Sequence, residues 1–143
     1  MIYTDNTRKA INIAYNAHMG QVDKSGIPYI FHPYHLAEQM STEEEIIVAL
    51  LHDVVEDTNI TIEELSKNFN NNIIEAINLL TKKDDNYETY INKISKNKIA
   101  KKVKIADLKH NLDITRITNP EEKDYQRITK YKKALEILNN NNT

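Results

Sequence analysis

IIVALLHDVVED, residues 46–57, sets eight apolar residues against one histidine and three carboxylates. Side chains on a helix advance by about 100° per residue. With His52 at zero, Glu56 falls at about 40°, Asp53 at about 100° and Asp57 at about 140°. Ile47, Val48, Leu51, Val54 and Val55 fall on the opposite side, and Ala49, small enough to leave room, lies within the polar arc. The pattern predicts a helix that buries one face and gathers a histidine and three acids on the other. Crowded negative charge is unfavourable unless water or a cation offsets it. Acids at a helix C-terminus also oppose the macrodipole, which argues against a merely solvated helix end.

Working outward, the chain stays helical. It has two glycines and three prolines in 143 residues, and apolar positions recur at a period near 3.6. Seven or eight helices are expected in one all-α domain over residues 1–143. The first covers 4–18, with Ala10, Ile13, Ala14 and Ala17 on one stripe. A loop follows over 21–29, holding Gly26 and Pro28. Pro33 suits the first turn of a second helix, through residue 40. Ser41 or Thr42 caps the third, which carries Glu43, Glu44 and Glu45 in its first turn and runs through Val55. Thr61 with Glu64 forms a capping box for the fourth. Further helices are expected over 70–80, 87–95 and 98–115. Pro120 opens the last, with the stripe Ile128, Tyr131, Leu135 and Leu138. The tail, 139–143, is polar and expected to fray.

Composition narrows the function classes. Hydrophobic residues make up 40 % and charged residues 28 %, with a net charge of −2, so charge alone predicts neither a nucleic-acid nor an anionic-membrane partner. No apolar run reaches the roughly 20 residues a bilayer span requires, and the first ten residues lack the apolar core of a secretory signal. Without cysteine there is no thiolate metal site, and a cytoplasmic setting is expected. A metal would be held by imidazole and carboxylate, the ligand set of Mn, Fe, Zn, Ni or Mg.

His52 and Asp53 do not complete such a site. His32 precedes Pro33, and His18, His35 and His110 compete with it. Asp107 stands between Ala106 and Leu108 in VKIADLKHNL, residues 103–112. Lys104 and Asn111 share its helix face. An acid on a mostly buried helix needs a partner, and a metal would serve.

HMGQ (18–21), KSGIPYIFHP (24–33), LLHDVVEDT (50–58), TIEEL (61–65) and VKIADLKHNL (103–112) occur in the order found in one family. The chain resembles the HD-type hydrolase domain of RelA/SpoT-type alarmone enzymes, especially the single-domain small alarmone hydrolases. The resemblance implies metal ligation by His32, His52, Asp53 and Asp107, usually of one Mn2+ ion. It implies that Glu56 and Asp57 position or activate the attacking water. It brings Lys24 and Ser25 near base and phosphates, and Asn111 to the sugar, while Lys104 could meet phosphate as a point charge. The implied reaction is hydrolysis of the 3′-pyrophosphate of ppGpp or pppGpp, a small-molecule nucleotide substrate.

One position departs from the pattern. Relatives commonly carry Arg-Lys before Ser-Gly, and that arginine packs on guanine; Asp23 stands here instead. A carboxylate cannot stack as a guanidinium does, although it can accept hydrogen bonds from guanine. On the sequence alone, restoring arginine at 23 is expected to tighten alarmone binding. Three other functions stay open: a phosphatase for another nucleotide or phosphorylated cofactor, a nucleotide sensor without turnover, and a structural helical module. A homo-oligomer is also open.

Overall fold

Thr42 opens the helix at the centre of the molecule with a full capping box: its side chain accepts from the Glu45 N–H, and the Glu45 side chain accepts from the Thr42 N–H. The computed structural model describes residues 1–83 and 85–140. Its elements are α1 (Asp5–Ala17), α2 (Phe31–Glu38), α3 (Glu43–Leu51), α4 (Val54–Asp57), α5 (Ile62–Ser66), α6 (Asn71–Leu80), α7 (Tyr87–Ile94), α8 (Lys98–Asn111), a 3-10 turn (Ile114–Arg116) and α9 (Glu122–Asn140). The one extended pairing among the described residues is a bridge between Val22 and Pro28. The all-α expectation holds.

Every residue of α3 from Glu45 to Leu51 is buried. The helix packs against α1, α2, α6 and α8, which explains its apolar content on all sides. Leu36, Ile46, Ile47, Leu50, Leu51, Ile77 and Leu108 are fully buried in one cluster that extends to Leu138 of α9. Each such side chain contributes about 1.5–3 kcal/mol of burial free energy. The outer layer is α9, which lies on α7 and α8 through Ala134 and Leu138.

Several boundaries differ from expectation. The third helix does not run to Val55. The His52 ring donates from Nδ1 to the carbonyl oxygen of Ala49 at 2.6 Å, the acceptor that the Asp53 N–H would use in a continuous helix. The helix stops at Leu51, Asp53 sits at φ −106° and ψ −2°, and α4 resumes at Val54. α8 ends at Asn111, and Asp113 caps the separate 3-10 turn by accepting from the Thr115 N–H. α9 starts at Glu122, beyond Pro120. It runs through Asn140, which takes in the first two residues of the expected frayed tail; the other three lie outside the described residues.

The loop after α1 is an ordered turn. Asp23 Oδ1 accepts from the N–H groups of Ser25 at 2.8 Å and Ile27 at 3.0 Å. Gly26, at φ +79°, supplies the left-handed residue this turn needs.

Candidate metal centre

Three elements bring the sequence-selected acids and histidines together. α2 contributes His32 from its first turn, the α3–α4 break contributes His52 and Asp53, and α8 contributes Asp107 from its buried face. His32 Nε2 lies 2.8 Å from Asp107 Oδ1. His52 Nε2 lies 3.0 Å from Asp53 Oδ2 and 3.6 Å from Asp107 Oδ1. Ligand atoms of His32, His52 and Asp53 all fall within 4.8 Å of one another.

A hydrogen bond to the backbone assigns the His52 tautomer. With Nδ1 donating to Ala49, neutral His52 points an Nε2 lone pair inward, and that buried atom has no hydrogen-bond partner. His32 Nδ1 lies 2.7 Å from His110 Nδ1. Burial first, then Arg116, His32 and His35, push the His110 pKa down to about 4, so its ring is neutral. His32 Nε2 hydrogen-bonds Asp107 Oδ1, the imidazole donating to the carboxylate. Two imidazole nitrogens and two carboxylate oxygens converge, a set that fits a divalent cation of the first transition row. Without a cation a proton substitutes: burial opposes charge on His52, but Asp53 and Asp107 outweigh it and raise its pKa.

The surrounding side chains hold the acids in place. Tyr29 donates its hydroxyl to Asp53 Oδ2. Lys104 Nζ donates to Asp107 Oδ2 at 3.0 Å, and Asn111 Nδ2 to Asp107 Oδ1 at 3.1 Å. Burial raises the pKa of Asp107, yet Lys104 and the two histidines bring it far below the usual carboxylate range. Lys104 is therefore engaged with Asp107, and its ammonium also lies 5.3 Å from the centre of the Tyr90 ring. Tyr29 and His110 are the supporting residues that periodicity does not single out. His110 stands in the sequence only as one of several competing histidines, and Tyr29 sits in a loop without a repeat.

Glu56 and Asp57 remain on the same side as Asp53 despite the helix break, the three ligand atoms lying within 4.8 Å of one another. Burial, followed by Asp53, raises the Asp57 pKa; burial likewise raises that of Glu56, against a hydrogen bond from the Lys82 N–H at 2.7 Å. His18 does not join the cluster of His32, His52 and Asp53. It hydrogen-bonds through Nδ1 with Gln21 Oε1 at 2.8 Å, and Gln21 Nε2 donates to the Asp57 carbonyl at 3.0 Å. His35 is exposed, its ring centre 4.3 Å from that of His110.

Beside the cluster opens a cavity of about 330 Å3, with Lys24, Tyr29, His32, Asn111, Arg116 and Arg127 in its walls. Lys24 donates to Asp124 Oδ1, which Arg127 Nη2 approaches to 3.3 Å. Ser25 faces the turn after α8: its Oγ donates to the Arg116 carbonyl at 2.6 Å and accepts from the Thr118 N–H at 3.3 Å. The wall from α9 was not legible beforehand, because Asp124 and Arg127 look like any solvated i, i+3 charge pair until α9 is packed.

A family model described as HD domain matches residues 10–112. A probable GTP pyrophosphokinase of Mycobacterium leprae is 30 % identical over 145 residues, covering 92 % of this chain and 18 % of its own length. A guanosine-3′,5′-bis(diphosphate) 3′-pyrophosphohydrolase of Borreliella burgdorferi is 36 % identical over 120 residues, covering 73 % of this chain and 18 % of its own length. The chain thus spans less than a fifth of these curated relatives. Among solved structures, a metazoan ortholog of SpoT, described as hydrolysing ppGpp, shares the fold with a TM-score of 0.81 at 22 % identity, over 96 % of this chain and 88 % of that one.

Proposed function

This chain belongs to the HD-domain family, and on that premise we propose that it is a metal-dependent phosphohydrolase that removes the 3′-pyrophosphate of guanosine 3′,5′-bis(diphosphate). The observation that carries the reading is the buried His52 Nε2, without a hydrogen-bond partner and facing two carboxylates. The ligands are His32, His52, Asp53 and Asp107, and the resemblance to alarmone hydrolases favours Mn2+. A bound divalent ion lowers the pKa of water and offsets charge on phosphoryl oxygens.

The chain's own residues do the rest. Water adds to the phosphorus carried on O3′, the P–O3′ bond breaks, and GDP and pyrophosphate leave. Glu56 or Asp57 accepts the proton of that water; their raised pKa values make them better bases than an exposed carboxylate. Lys24 and Asn111 line the cavity, where Lys24 attracts phosphate and Asn111 meets the sugar. Ser25 fixes the loop that carries Lys24. Lys104 holds Asp107 in its charged form. The absence of cysteine and the nucleotide substrate favour work in the cytoplasm, and no described helix is long and apolar enough to cross a membrane.

The test is a product panel with Mn2+ on ppGpp, GTP, nucleoside monophosphates and NADPH. Stoichiometric GDP and pyrophosphate from ppGpp, with slower turnover of the others, is expected. Preferred hydrolysis of a monophosphate or of NADPH would replace the alarmone by another nucleotide.

A further inference from the structure

Asp23 and Arg116 stand side by side in the wall of the cavity beside the metal ligands. Asp23 Oδ1 is engaged with the N–H groups of Ser25 and Ile27. Its Oδ2 has no hydrogen bond among the described residues and stands 3.9 Å from Arg116 Nη2, within ion-pair reach and beyond a hydrogen bond. Arg116 is anchored through Nη1, which donates to the His110 carbonyl at 2.9 Å. Its Nη2 carries no hydrogen bond among the described residues, and Arg116 lines the cavity. The two side chains keep 23 % and 26 % of their surface exposed, enough to meet a ligand. Their spacing is fixed, because Ser25 Oγ ties the loop of Asp23 to the carbonyl of Arg116. Val22, Ile117, Ile128 and Tyr131 add apolar surface to the same cavity.

A rigid acceptor beside a rigid donor is a template for a base edge with the opposite order. Guanine presents O6, an acceptor, next to N1–H and the 2-amino group, both donors. Adenine presents the reverse, an amino donor next to the N1 lone pair. We infer that Asp23 and Arg116 together read the guanine edge, Asp23 accepting from N1–H and the 2-amino group and Arg116 donating to O6. This deepens the proposed nucleotide reading and rests on it for the identity of the cavity's occupant. It replaces stacking on the face of the base by recognition in its plane. It also reverses the expectation for arginine at position 23, which would open the turn held by Oδ1 and set two guanidinium groups together.

The test is calorimetric binding of GDP, IDP and ADP to the Mn2+-loaded full chain, alongside ppGpp turnover. Wild type is expected to bind GDP at least tenfold more tightly than ADP, with IDP, which lacks the 2-amino group, in between. Asp23→Asn keeps a side-chain oxygen for the turn, and Arg116→Gln keeps a polar group. Each should bring GDP and ADP within threefold of each other. Equal binding of GDP and ADP by wild type, or a preference that survives both substitutions, overturns the inference even if ppGpp is hydrolysed. A guanine preference that depends on both residues upholds it even if ppGpp is left intact, in which case the proposed reaction falls alone.

Discussion

Asp107 draws in most of the charge at this site: one lysine, one asparagine and two histidines converge on its two oxygens. Its burial and its neighbours Lys104 and Asn111 made it a candidate from the sequence. Its choice as a ligand, with His32 over His18, His35 and His110, came from the family resemblance, since periodicity does not say which helices meet. Tyr29 was invisible for the same reason. Tyr29→Phe removes the donor to Asp53 and should weaken Mn2+ binding about 10–100-fold, the usual scale for a group supporting a ligand. Calorimetric titration measures this, and unchanged affinity would deny Tyr29 that role. Glu56→Gln and Asp57→Asn should keep most of the Mn2+ affinity and lose turnover by roughly 10²–10⁴-fold. Loss of the metal in both variants would mean that the two acids only tune the charge of the site.

The helix wheel drawn through residues 46–57 assumed an unbroken helix, and α3 breaks at its most informative point. The polar arc survives because α4 resumes with Asp53, Glu56 and Asp57 still adjacent. The break comes from competition between a side chain and the backbone for the Ala49 carbonyl, which hydrophobic periodicity does not register. The start of α3, by contrast, was legible as a cap followed by acids. Thr42→Ala should lower stability by about 1 kcal/mol in urea unfolding, and no change would mean the box is dispensable. Glu45 adds a pH signature. Burial alone would raise its pKa, but Lys102 at 2.7 Å and the N–H groups of Ser41 and Thr42 outweigh burial and lower it. A folded pKa below the unfolded one gives stability that is present above the unfolded value and is lost as pH falls through the folded value. Glu45→Gln should therefore flatten part of the acid limb of the stability curve between about pH 5 and 3. An identical acid limb in the variant would remove Glu45 from the account.

For the molecule as a whole, the all-α class and the central place of residues 46–51 followed from composition and period. The closure of the cavity by α9 did not, since α9 lies beyond the residues matched by the family model. The cluster of His32, His52, Asp53 and Asp107 thus falls within the family's common core, while Arg116 and Arg127, in the cavity wall, come from chain beyond it. We propose that His32, His52, Asp53 and Asp107 hold one divalent ion that drives removal of the 3′-pyrophosphate. The most direct test is pyrophosphate release from ppGpp by wild type and Asp53→Ala, each with its metal content measured. Wild type should carry one divalent ion per chain and release pyrophosphate only when it is present, and Asp53→Ala should lose both the ion and turnover. Near-normal turnover by Asp53→Ala, or no release by fully metal-loaded wild type, would contradict the account.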